Sequence, residues 1–144
     1  MDEPLALAQE AADELRRRSR VDSFEVAVVL GSGWKAATER LGLPRLDLAA
    51  TDLPGFQPST VAGHDGRVLA VERDPRRLLV FLGRTHLYEG RGVAAVVHGV
   101  RTAVAAGCRV VSIAPQALVR ITTRQPAATA VRTPWTTAAT PRPS

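Results

Sequence analysis

The chain has 144 residues, of which 45% are hydrophobic and 23% charged, with a formal net charge of +5. This suits one globular domain; no apolar run can span a bilayer and no targeting peptide stands out, so the cytoplasm is the expected compartment and no membrane partner is expected. The positive charge is a poor argument for a nucleic-acid partner, because residues 1–111 carry 15 basic against 14 acidic groups and the remaining +4 comes from Arg120, Arg124, Arg132 and Arg142.

In chain order, Pro4 sits where a helix can start, and Leu5, Ala8, Ala12 and Leu15 recur at helical spacing before Arg16-Arg17-Arg18. Val26–Leu30 reads as a buried strand that runs directly into the small loop Gly31-Ser32-Gly33, followed by a short helix around Trp34–Leu41. Pro44, Pro54, Gly55, Pro58 and Gly63 mark a long irregular stretch, expected to fold over a site. It ends at Gly63-His64-Asp65-Gly66, a histidine loop bracketed by glycines. Arg67–Glu72 and Arg77–Leu82 flank Asp74-Pro75-Arg76 and predict a hairpin. Val93–Ala106 predicts a helix in which Val93, Val96, Val97, Val100 and Val104 share a face, with Gly107 as its stop. Its β-branched residues are weak helix formers, so packing must hold it. His98, set between valines, reads as structural rather than catalytic. A strand over Arg109–Ile113 completes a β–α–β pattern, and the single cysteine, Cys108, reads as a small buried hydrophobe beside it. The fold class is α/β with a mixed central sheet flanked by helices.

Gly83-Arg84-Thr85-His86-Leu87-Tyr88-Glu89-Gly90 carries the most chemistry. If the chain stays extended beyond the apolar run ending at Leu82, period-two geometry points Arg84, His86 and Tyr88 to one side. Arg84 offers a planar fork for an oxyanion, His86 a donor or proton carrier, and Tyr88 a flat face with a hydroxyl. Such a trio suits an anion beside a sugar; an edge strand with three solvated polar side chains is the bland alternative. The glycines around Ser32 would let backbone N–H groups approach the same anion. No His/Cys/Asp cluster has metal-ligand spacing, so no metal and no cofactor are expected.

Taken together, GSGW, LPGF, GHDG and GRTHLYEG in this order resemble the purine nucleoside phosphorylases of the low-molecular-mass, homotrimeric type, over about Val26 to Val111. The resemblance implies a phosphate site formed by Ser32, His64, Arg84 and His86, with His86 also catalytic and Tyr88 packing against the ribose. The implied reaction is phosphate-dependent cleavage of the N-glycosidic bond of a purine nucleoside, in purine salvage, with inorganic phosphate as co-substrate. Related phosphorylases acting on methylthioadenosine or xanthosine, and a non-catalytic module retaining an anion or nucleotide site, are the alternatives.

The pattern breaks after residue 111. Residues 112–144 hold no Asp, Glu or Gly, and the family's Asn-Ala-Ala-Gly-Gly segment is replaced by Ser112-Ile113-Ala114-Pro115-Gln116-Ala117-Leu118. Residues 1–111 are therefore expected to be the first half of a phosphorylase domain. Residues 112–144 are expected to be an aberrant tail: either a disordered basic segment or, as favoured, the out-of-frame translation of a GC-rich gene. Groups that hold the departing purine lie downstream in the family, so the chain is expected to be inactive as it stands. The homotrimer of intact family members is doubtful here for the same reason.

Overall fold

The computed structural model describes residues 2–31, 34–58 and 66–113. Helix α1, Glu3–Ser19, starts with Pro4 in its first turn and ends at Arg20 in the left-handed region. It buries Ala8, Ala11, Ala12 and Leu15, three of them small enough to let a partner helix approach closely. That partner is α3, Gly92–Ala105. Arg16 joins the two: its Nη2 donates to the Ala105 carbonyl at the end of α3, its Nε to the Asp22 carbonyl at 3.0 Å and its Nη1 to Asp13 at 2.7 Å. A cation at that position also offsets the negative end of the α3 dipole.

On the solvent side of α1, Glu14 accepts hydrogen bonds from Arg17 and, secondarily, Arg18, and these hold its carboxyl at about 2, against an ordinary value of 4.5. A depressed carboxylate pKa stabilises the fold above the unfolded value and loses that effect as pH falls through the folded one. Wild type should therefore melt above Glu14→Gln at pH 5–7 by a margin that closes between pH 4.5 and 2. A margin that is constant with pH in scanning calorimetry would refute the pairing.

The sheet contains five strands: β1 (Val26–Leu30), β2 (Pro44–Ala49), β3 (Arg67–Arg73), β4 (Arg76–Leu82) and β5 (Val110–Ile113). Their spatial order is β2-β3-β4-β1-β5. β2, β3 and β4 form an antiparallel meander, while β1 runs parallel to β4 (Val26 opposite Leu78) and to β5 (Val26 opposite Val110). The expected mixed sheet is present. Alternate residues feed two cores, as a period of two requires. Ala27, Val29, Val68, Ala70, Leu79 and Phe81 face α1 and α3, while Leu30, Leu69, Val71 and Val80 pack with Trp34 and Leu41. Between β1 and β2 lies the one-turn helix α2, Lys35–Thr38.

One expectation needs correction. The stretch from Pro44 is not wholly irregular: Pro44–Ala49 is an edge strand, with Arg45 paired to Glu72 and Asp47 to Arg67 across the β2–β3 ladder. Proline at its first position is compatible with an edge strand. In α3 the buried residues are His98, Thr102 and Ala103, while Val93 and Val104 are exposed. Small residues let α3 sit close to α1. Gly107, at φ +104°, ends the helix as expected. Cys108 is buried, and loss of hydration pushes its thiol up to about 11.

Candidate functional site

β1 and β4 end side by side, and the Gly83 N–H donates to the Leu30 carbonyl at 2.9 Å, so the two loops that follow start from one fixed point. β1 is also where the chain order reverses: the meander lies to one side and β5 to the other. Crevices outside the carboxyl ends of parallel strands at such a switch are where open α/β sheets bind ligands. A cavity of about 680 Å³ opens there, bordered by Gly31, Phe56, Arg84, His86, Tyr88 and His98 among others.

The octet does not stay extended. β4 stops at Leu82, Gly83 takes φ +89°, and Leu87–Glu89 is a turn of 3-10 helix closed by Gly90 at φ +74°. The residue that imposes the turn is Glu89, whose side chain is 3% exposed. It accepts the His86 backbone N–H at 2.8 Å and lies 3.3 Å from His86 Nδ1, a reciprocal cap of the turn. The bend still brings the two rings together, since His86 and Tyr88 stack with centroids 4.9 Å apart and planes 18° from parallel. Arg84 borders the same cavity, and among the described residues no ion pair or hydrogen bond engages its guanidinium. Three of the five expected residues thus meet at one cavity; Ser32 and His64 lie outside the described residues.

Opposite the octet, Leu53-Pro54-Gly55-Phe56 closes the cavity. Leu53 is buried in the core, Gly55 turns the chain at φ +79°, and the Pro54 carbonyl accepts from His98 Nε2 at 2.8 Å. That bond places the imidazole proton on Nε2. The His98 ring stands edge-on to Phe56, 4.6 Å between centroids, and Phe56 stacks on Phe81 at 6.2 Å. His98 is a strut between α3 and this loop, as its setting between valines suggested. Arg91 extends the same bracing by donating to Gln57 at 3.3 Å.

The site therefore has a polar wall with a guanidinium that no described residue engages, an imidazole and a phenol, and an apolar wall of aromatic and valine side chains. Sequence reasoning missed Glu89 and Phe56. The His86-x-x-Glu89 spacing of a capping pair was a signal for the first, and the second carried none beyond its place in LPGF. Among the described residues no group of three or more His, Cys, Asp or Glu side chains could hold a metal ion. No helix among them is long and apolar enough to cross a membrane.

No family model matches the chain. It is 46% identical over 108 residues to the purine nucleoside phosphorylase of Mycobacterium tuberculosis, covering 75% of this chain and 40% of that one. It is 46% identical over 110 residues to the purine nucleoside phosphorylase of Cellulomonas sp, covering 73% and 39%. Among solved structures, isoform 2 of the Schistosoma mansoni purine nucleoside phosphorylase, in complex with cytosine and ribose-1-phosphate, superimposes with a TM-score of 0.65 at 29% identity, over 75% of this chain and 37% of that one. The chain thus spans about two fifths of the length of the curated relatives it matches. By sequence and by fold, it is a member of the purine nucleoside phosphorylase family, of which it carries part.

Proposed function

We propose that the cavity binds inorganic phosphate beside the ribose of a purine nucleoside, and that in a complete phosphorylase fold this site carries out phosphorolysis of the N-glycosidic bond. The observation that carries the reading is the unengaged Arg84 guanidinium beside the stacked His86–Tyr88 pair, at the carboxyl ends of two parallel strands. As the base leaves, positive charge develops on the sugar, as in glycoside cleavage. A phosphate dianion held at Arg84 then serves as nucleophile and as counter-charge. A permanent cation with neutral donors holds it without protonating it. In this reading Ser32 and His64 complete the phosphate shell and Tyr88 covers the ribose. His86, oriented by Glu89, is the group positioned to hold or pass a proton at the phosphate. Phosphate is a co-substrate, no cofactor is invoked, and the cytoplasm is the setting proposed.

For the 144-residue chain alone, the expected result is phosphate binding without measurable cleavage of inosine or guanosine. A charge-assisted hydrogen bond contributes about 1.5–3 kcal/mol, so Arg84→Ala should weaken phosphate binding by about 10- to 100-fold in titration calorimetry. Equal phosphate affinity in wild type and Arg84→Ala removes the reading. Turnover by wild type that Arg84→Ala abolishes would instead extend catalysis to the chain itself.

A further inference from the structure

Arg91 sits where helix physics disfavours it. It is the N-cap of α3, a position suited to Ser, Thr, Asp or Asn, and its side chain caps no backbone N–H there. A cation at that end also opposes the helix dipole. Nor does Arg91 extend freely into solvent. Its side chain is 23% exposed, and its Nε is buried with no hydrogen-bond partner among the described residues. That Nε stands 3.9 Å from Oε2 of Glu89, while Nη1 donates to Gln57 Oε1 at 3.3 Å. Glu89 and Gln57 both border the cavity, and Arg91 does not.

We infer that Arg91 is a positioning residue for the anion site, acting through Glu89. The Glu89 side chain is 3% exposed, in the cavity wall that also carries Arg84 and His86. A buried carboxylate without a counter-charge is costly to desolvate, and it repels a dianion entering the same cavity. The Arg91 guanidinium offsets that charge without touching the ligand. The two carboxylate oxygens divide the work: Oε2 faces Arg91, and Oε1 takes the backbone N–H and the Nδ1 of His86. Nδ1 so engaged keeps the imidazole proton, which leaves Nε2, engaged by no described residue, for a phosphate oxygen. The purpose of the arrangement rests on the phosphate reading of the cavity; its geometry rests on Arg91, Glu89 and His86 alone.

The test compares Arg91→Gln and Arg91→Lys in the full chain, with inorganic phosphate as the probe in titration calorimetry and circular dichroism as the check on folding. Arg91→Gln should weaken phosphate binding about tenfold, while Arg91→Lys, which keeps the charge, should stay within about threefold of wild type. In a Glu89→Gln background there is no charge to offset, so Arg91→Gln should change the affinity less than about twofold. A second readout needs no ligand. The chain has three histidines, so their imidazole nitrogen signals can be assigned by substitution. At about pH 8.5, where an ordinary imidazole is neutral, His86 should hold its proton on Nδ1 in wild type and in Arg91→Lys. In Arg91→Gln it should move toward the Nε2 tautomer, because a Glu89 without its cation takes up a proton or turns away.

Equal phosphate affinity in wild type and Arg91→Gln overturns the inference. So does an Arg91→Lys as weak as Arg91→Gln, which makes the residue a brace and not a charge. An undiminished effect of Arg91→Gln in the Glu89→Gln background overturns it too, since Arg91 then acts on phosphate directly. A wild type that binds no phosphate sinks the functional reading, and the tautomer then decides the geometry by itself: an Nδ1 proton retained in Arg91→Gln overturns it. Arg91→Met, which keeps the apolar stem and loses the charge, takes the same readouts if Arg91→Gln does not fold.

Discussion

Phe24→Ala should destabilise the fold by about 3–5 kcal/mol, the cost of removing a large ring from a site that cannot collapse. Phe24 is 1% exposed and is the largest of the fully buried side chains. Its surroundings are held by backbone bonds that a smaller side chain does not release: Phe24 N–H to the Ala106 carbonyl at 3.1 Å, Glu25 N–H to Arg77 at 2.9 Å and Arg109 N–H to Glu25 at 2.9 Å. The segment thus bridges the end of α3, the start of β4 and the start of β5, and the cavity left by the ring stays open. Domains are stable by only about 5–15 kcal/mol, so this one ring accounts for a large share. Urea unfolding is the measurement, with the midpoint lowered by about 1–3 M. A loss below about 1 kcal/mol would mean that the junction repacks, contrary to the bracing seen there.

Gly55→Ala should cost about 2–4 kcal/mol for a different reason. At φ +79° any side chain is strained, and a Cβ there would stand 2.6 Å from both Cε1 and Nε2 of His98. The ring must swing away, giving up its bond to the Pro54 carbonyl and its edge contact with Phe56. The coupling is checkable in a double-mutant cycle. In a His98→Ala background, Gly55→Ala should cost only the backbone strain, roughly 1–2 kcal/mol. Additive effects of the two substitutions would show that the methyl is accommodated without moving the ring. Because Gly55, Phe56 and His98 all border the cavity, the same variant reshapes its apolar wall.

These positions also show what the sequence disclosed. The apolar runs at Val26–Leu30 and Arg77–Leu82 were legible as strands because buried strands need little else, and the Asp74-Pro75 turn fixed the hairpin between β3 and β4. β2 was hidden by its composition. Leu46 and Leu48 alternate with Arg45 and Asp47, a half-buried pattern, but the surrounding prolines and glycines outweighed four residues of alternation. In α3 the valine spacing marked an apolar face without saying which neighbour covers it. The small residues Ala103 and Ala106 are the ones that join the core.

The candidate site was legible as a set of residue types and not as a shape. Arg84, His86 and Tyr88 were found from their chemistry, yet the extended geometry assumed for them gave way to a turn capped by Glu89. Glu89, three positions before α3, was given no role. Its side chain is nearly fully buried, with His86 and Arg91 as neighbours. LPGF drew notice as a motif, and only the structure supplies its reason, which is that glycine alone fits against the His98 ring.

The strand order has a consequence for how the molecule assembles in time. β3 and β4 are joined by a tight turn and can pair early, since closing a short loop costs little entropy. β1 has no sequential neighbour in the sheet; both of its partners, β4 and β5, come from distant parts of the chain. The Gly83–Leu30 bond, which ties the ends of β1 and β4 together, exists only after the first of those long-range pairings. The meander can therefore form while the pocket does not, and any intermediate that lacks β1 is blind to the ligand. A ligand of the pocket would therefore stabilise the state in which β1 is paired without hastening the pairing of the meander.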